Sequence, residues 1–362
     1  MSAAHPYVEE VTMGTDPTPR RGPSRRQVLG GVAGLAVTAG AVSAYARYHF
    51  QHPDPGTPHD DFTAPTGGYR FERRRTPART VVRAADGRVL ATFTDGARTA
   101  LLTGPTRTWS EPRTTSAVVR SNAWVRLMPD GWRAGHEHTR WFREWFPKAL
   151  AGRRPDVIGT AFQYGDGAPD RRTASGLRYA GKAHFGPRVA GQSPWSFHYR
   201  DEKSDFYDYL GTPWTFPDGT RKDPEKARYG DVDCSGFMRL VWGYRMGYPM
   251  HATNTAGIGL PRRAYAIADR APGVLLIPNT GRPPADISLL QPGDLVFFAI
   301  DIGRPHGIDH CGIYLGPDDQ GHPRFYSSRS KANGPTMGDL AGRARLDGDG
   351  FYAQGLRMAR RL

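Results

Sequence analysis

The chain has 362 residues, too many for one ordinary hydrophobic core, so two folded units with tails are expected. Its 49 Lys and Arg against 35 Asp and Glu give a formal charge of +14. That balance favours an anionic partner without choosing among nucleic acid, lipid headgroups and a bacterial wall, and an Arg-rich proteome would produce it equally. Two cysteines exclude a disulfide framework and leave either one bridge or a cysteine with a chemical task.

Residues 1–46 have the layout of a bacterial export signal. A polar, Pro-rich leader precedes the pair Arg25-Arg26, an apolar Gly- and Ala-rich run follows from Val28, and Ala44-Tyr45-Ala46 fits a small-residue cleavage site. The paired arginines indicate the twin-arginine route. The run nearly reaches the ~20 residues of a membrane span, so an uncleaved anchor is the alternative, and only that alternative involves a membrane. Both readings put the remainder outside the cytoplasm. Residues 47–65, rich in Pro, Gly and Asp, read as an exposed linker.

Residues 66–200 read as a smaller β-rich unit with one or two helices. Asp86-Gly87 sits between two alternating apolar runs, the signature of a hairpin, and "TALLTG" and "AVVRSNAWVRLM" continue the strands. Trp124, Arg126 and Met128 share one side of the second of these. The stretch "HEHTRWFREWFPKAL" predicts a helix with Trp141, Trp145 and Leu150 near one face, disturbed at Pro147. His136 and His138 lie too far from any third ligand to read as a metal site, and nowhere does a His/Cys set have zinc spacing. No metal or cofactor is expected.

Residues 201–362 carry the chemistry. After Cys234, Phe237, Leu240, Val241 and Tyr244 fall at i, i+3, i+4 and i+7, one apolar helix face, and Gly247 and Pro249 close the element. Cys234 thus lies in a first helical turn that Asp233 is placed to cap, where unpaired N–H groups favour a thiolate. Gly236 would leave room for an approaching substrate carbonyl. A thiolate needs a base, and "IDHCGIYLG" supplies His310 on a strand. Alternation puts His310, Gly312 and Tyr314 on one face and Cys311, Ile313 and Leu315 on the other. If His310 faces Cys234, Cys311 points away as a small core residue and the two cysteines do not bridge. Pro292-Gly293 reads as the turn before a buried strand, "HPRFYSSRS" as the strand after the base, and His322 as an exposed hairpin-loop residue.

Asp233-Cys234-Ser235-Gly236-Phe237, "LPRRA" (260–264), "LQPGDLVFF" (290–298) and "DHCGIYLG" (309–316) together resemble the NlpC/P60 cysteine peptidases. The resemblance implies an α+β, papain-like domain with its N-terminal helix packed on an antiparallel sheet. It implies Cys234 as nucleophile, His310 as general base, and hydrolysis of amide bonds in peptidoglycan stem peptides. Asp233 and Ser235 would lie beside the substrate. Two positions depart from the family's pattern. Trp214 in "LGTPWTFPDG" stands where a tyrosine usually helps bind the oxyanion; its indole N–H could donate instead, or the ring could simply pack. The third catalytic position, often His, falls on Ser327, or on Tyr326 if the register slips by one.

The functional reading is a secreted, cell-wall-associated endopeptidase whose partners are stem peptides and, given the charge, anionic wall polymers. The alternative is a catalytically weak or inactive wall-binding protein on the same fold; acyl transfer by the same pair is a third option. The basic residues are scattered and no nucleic-acid module is recognisable, so no nucleic-acid partner is expected.

Overall fold

The computed structural model describes residues 68–362 except 195, 197 and 302–306; the expected export signal (1–46) and linker (47–65) lie outside the described residues. Alternating apolar residues between 70 and 127 fold as a five-stranded antiparallel meander. Its strands are β1 (Arg70–Arg74), β2 (Arg79–Arg83), β3 (Val89–Thr94), β4 (Thr99–Ser110) and β5 (Val118–Leu127), each paired with the next. The Asp86-Gly87 turn joins β2 to β3, with Gly87 in the left-handed region that a hairpin turn of this kind uses. One face of the meander is covered by α1 (Arg140–Ala151), which starts at a Thr139 cap accepting from the Phe142 N–H.

The buried face of α1 differs from expectation. Phe142, Phe146 and Leu150, at i, i+4 and i+8, enter the core with Phe93 and Trp132, while Trp141 and Trp145 pack at its margin. Pro147 lies inside the helix without ending it. The aromatic interlock, with Phe93 stacked 4.5 Å from Trp132 and Phe142 5.1 Å from Phe146, holds the helix through that lost hydrogen bond. His136 packs edge-on against Trp132 and Trp141. The short helix α2 (Val157–Ala161) and two small hairpins, β6 (Arg171–Arg172) with β7 (Arg178–Ala180) and β8 (Trp214–Thr215) with β9 (Arg221–Lys222), complete this part along with α3 (Phe206–Leu210).

The second sheet is six-stranded, in the order β10-β15-β11-β12-β13-β14. Its strands are β10 (Val274–Ile277), β11 (Leu295–Phe298), β12 (His310–Pro317), β13 (Pro323–Arg329), β14 (Gly334–Thr336) and β15 (Leu356–Arg361). All pairings are antiparallel. The helices of this region are α4 (Cys234–Met238), α5 (Ala264–Arg270) and α6 (Phe351–Gly355), and α4 runs on as a π-helical turn over Arg239–Arg245. Phe237, Leu240, Val241 and Tyr244 are buried as expected, but so are Met238, Arg239 and Trp242, so the element is enclosed all round.

Arg239 is fully buried and donates to Asp205 at 3.0 Å and to the carbonyls of His251 and Leu260, both at 2.8 Å. The two sheets are tied by Arg361, which pairs with Asp294 at 2.8 Å and donates to Thr94 at 2.7 Å, and by Thr99, whose hydroxyl donates to the Leu362 carbonyl. The architecture is thus α+β with antiparallel sheets, a β-rich region coming first.

Candidate active site

Asp233 caps α4 as its sequence position implies: Oδ1 accepts from the Gly236 N–H at 2.7 Å and from the Ser235 hydroxyl at 3.1 Å. Arg262, from the "LPRRA" segment, donates to Asp233 at 2.6 Å and to Ser235 at 2.9 Å. Asp233 and Ser235 are buried in this network and do not line the cleft beside Cys234. Gly236 serves packing rather than substrate access. A Cβ there would stand 2.5 Å from the Ser204 carbonyl oxygen and 3.0 Å from Asp205 Cα, both backbone atoms that cannot swing aside. Gly236→Ala is therefore expected to cost about 1–3 kcal/mol, the scale of overpacking. A thermal midpoint equal to the parent's would contradict this account of the glycine.

His310 opens β12 opposite Phe298. Its ring lies between Phe298 and Tyr352, with centroids 5.8 and 5.7 Å away, so packing fixes its plane. Nε2 stands 3.2 Å from the Ser327 hydroxyl, leaving the other ring nitrogen for the thiol. Gly312 keeps that face open, since a Cβ would come within 2.8 Å of the Phe325 ring and 3.1 Å of Ser327 Cβ. Strand alternation excludes Tyr326 from the same role. It lies on the opposite face of β13, against Phe237 at 5.8 Å and Phe162 at 4.3 Å, and the next hydroxyl, Ser328, donates to the Val232 carbonyl.

Cys234 is 8% exposed and borders a cavity of about 380 Å³ that is also lined by Glu202, Asp309, His310, Arg329 and Tyr352. Its Sγ lies 3.8 Å from the Asp309 carbonyl oxygen. A hydrogen bond from the Cys311 thiol, then the charge and hydrogen bond of His310, hold the Cys234 thiol well below its ordinary range against the opposing effect of burial. Both cysteines are free.

Cys311 was expected to point away from Cys234, and it does not. The pairing of β12 with β13 ends at Ile313–Tyr326, and from Ser327 onward β13 pairs with β14 instead. The head of α4 sits where the two strands part, so the Cys234 sulfur reaches His310 on one face of β12 and Cys311 on the other. Trp214 is placed elsewhere: it packs edge-on against Phe206 at 5.1 Å and Tyr244 at 5.9 Å and does not line the cavity. His322 is half-buried rather than exposed, with Nδ1 2.8 Å from an Asp347 carboxylate oxygen.

Glu202 and Arg329 are among the cavity residues that escaped sequence reasoning. Glu202 lies at the mouth, open to solvent on one side, yet the crowding of protein around it and then the Cys234 and Asp233 charges hold its carboxyl above the ordinary range. Only its proximity to the DFYDY run marks it in sequence, and that is no signal. Arg329 is 2% exposed and donates to the carbonyls of Gly342 at 2.8 Å and Gly338 at 2.6 Å, with its guanidinium over the Tyr352 ring. It ties the 338–342 segment to the cavity wall. Its place two residues after Ser327 on the same strand face could have suggested this.

A thiol of lowered pKa beside an imidazole, in a cavity open to solvent, can attack a carbonyl while the imidazole passes a proton to the leaving group. Residues 211–333 match the NlpC/P60 family model. The matched residues, 211–333, contain Cys234, His310 and Ser327 but neither β14 nor β15. At family level the match indicates a peptidoglycan-hydrolase or cysteine-peptidase-like function. A crystal structure of an NlpC/P60 family protein from Bacillus cereus ATCC 10987 is similar at 13% identity and a TM-score of 0.24, over 81% of this chain and 78% of that one. No curated protein matches the chain.

Proposed function

We propose that this chain is a secreted cell-wall hydrolase, a papain-like cysteine endopeptidase that cuts amide bonds in peptidoglycan stem peptides. The supporting observation is the Cys234 sulfur, held as an acidic thiol beside His310 at a solvent-open cavity. In this reading the Cys234 thiolate attacks the scissile carbonyl and its own backbone N–H holds the oxyanion. The imidazolium of His310 protonates the leaving amine, and the neutral imidazole then takes a proton from water as that water cleaves the thioester, expelling the thiolate and restoring the thiolate–imidazolium pair. The twin-arginine signal and the basic charge support export towards an anionic wall.

Ser327 orients the imidazole but, being neutral, adds no charge to stabilise the imidazolium. Ser327→Ala should lower kcat by about 5–10-fold with KM little changed, the scale of one hydrogen bond. A drop of several thousandfold would mean that Ser327 does more than orient. The neutral third residue, together with Trp214 lying off the cavity, favours the second reading, a wall-binding protein with little turnover.

Mass spectrometry of purified muropeptides, taken before and after incubation with residues 47–362, separates the two. Stem-peptide fragments absent from a no-protein control support the hydrolase. Intact muropeptides, together with sedimentation of the protein on wall sacculi, would replace it with the binding protein.

A further inference from the structure

Arg329 is 2% exposed, so a positive charge is held almost wholly out of solvent at the cavity that Cys234 borders. A guanidinium so placed ordinarily carries a carboxylate, because an unpaired buried charge is costly. Arg239, Arg324 and Arg361, buried to a similar degree, hold Asp205, Asp318 and Asp294. Among the described residues Arg329 makes no ion pair. Its terminal nitrogens donate to the carbonyls of Gly342 and Gly338, and its buried Nε–H has no partner. The charge of Glu111 reaches it through the protein, but that carboxylate is spent on the Thr336 hydroxyl and the Met337 N–H. Asp309, also at the cavity, accepts from the N–H groups of Ile300 at 3.0 Å and Asp301 at 2.7 Å. Arg360 likewise lacks a carboxylate, but it gives its Nε to the Ala268 carbonyl and does not line the cavity.

The chain beyond Arg329 continues the same wall. β13 ends at Arg329, and the turn that follows brings Ser330 and Lys331 to the cavity as well. Ser330 Oγ is buried and, like the Arg329 Nε, has no hydrogen-bond partner. Lys331 stands at the rim, its ammonium on the Pro194 carbonyl and 5.9 Å from the Tyr199 ring centre. Two residues of strand, about 7 Å, separate Arg329 from Ser327, whose hydroxyl meets His310. An anion held here would lie within two residues of the bond under attack.

We propose that Arg329, Ser330 and Lys331 form a carboxylate-binding subsite, which selects stem peptides with a free carboxylate within two residues of the cleaved amide. The proposal rests on the reading of this cavity as the hydrolase site. Arg329 supplies charge and its Nε–H, Ser330 a hydroxyl, and Lys331 an ammonium at the mouth. A carboxylate that accepts from these groups compensates the buried guanidinium and fixes the register of the peptide past Cys234. A carboxamide of the same shape brings an NH₂ donor against three donors, so the site rejects it.

Binding to the Cys234→Ala protein tests this without turnover. The probes are synthetic stem peptides with every carboxylate free, and the same peptides with one carboxylate at a time made a carboxamide. Isothermal titration calorimetry should show one of these amides weakening binding by about tenfold, the others changing it little. Ser330→Ala and Lys331→Ala, neither side chain lying in the core, should each lower that ratio by about twofold. Arg329→Gln should abolish it, with the unfolding midpoint checking that the fold survives. If that variant does not fold, the Ser330 and Lys331 variants decide.

Equal affinities for all the peptides, or a ratio that none of these substitutions lowers, would overturn the subsite. If muropeptides are nonetheless cut, the hydrolase reading stands without it. A carboxylate preference in a protein that cuts no muropeptide would overturn the hydrolase reading and leave the subsite to a binding protein. Peptides that do not bind at all, with no cleavage, would sink both.

Discussion

Cys234→Ala is expected to abolish muropeptide cleavage, with a loss of about 10⁶-fold in kcat, the scale seen when a covalent nucleophile is removed and only binding and oxyanion contacts remain. The fold should survive. Cys234 is 8% exposed and its side chain faces the cavity, so removing the sulfur opens little void in the core. A circular-dichroism spectrum and unfolding midpoint near the parent's, with no new fragments in the mass spectrum, is the expected pair of results. Cleavage at the parent's rate would remove Cys234 from the mechanism, and with it the proposed chemistry.

The largest effect on stability should come from Asp205→Ala. Asp205 caps α3, accepting from the Phe206 N–H at 2.9 Å while its own N–H donates to Asp208 at 2.8 Å. It also receives Arg239 at 3.0 Å and Arg262 at 3.3 Å, both guanidinium groups being largely out of solvent. Deleting the carboxylate leaves Arg239 charged, fully buried and held only by carbonyls, a change that costs about 3–5 kcal/mol when one partner of a buried pair is removed. Denaturant unfolding should show a lower midpoint with an unchanged slope. A second variant separates charge from packing. Arg239→Met added to Asp205→Ala should regain part of the loss, because the unpaired charge goes with it. If the double variant is less stable than Asp205→Ala alone, the ion pair is not the source of the effect.

What the sequence revealed and what it withheld divide along one line, the distance over which information acts. The head of α4 was legible because the cap, Cys234 and the apolar spacing all fall within residues 233–244. His310 was marked by its strand and Ser327 only by the resemblance to a family pattern, and strand alternation in the structure sets Ser327 rather than Tyr326 beside His310. Cys311 was misjudged by that very rule. Alternation describes a strand inside a sheet, whereas Cys234 meets β12 where β13 has already left it, and nothing in either strand's sequence announces the parting. Gly236 was given a substrate role because its contact, the Ser204 carbonyl, lies 32 residues away in the chain. On α1 Leu150 was placed correctly, but Trp141 and Trp145 stand one residue before the rings that enter the core, Phe142 and Phe146, because adjacent aromatic pairs leave the helix face ambiguous.

The placement of β15 bears on how such a chain is made. This strand lies between β10 and β11 rather than at a margin, and its Arg361 is the side chain that anchors one sheet to the other. Until residues 356–361 leave the ribosome, β10 and β11 each present a bare edge to the gap between them, an invitation to the wrong partner. Two of the five strand pairings of that sheet, β10 with β15 and β11 with β15, therefore form only once β15 is in place.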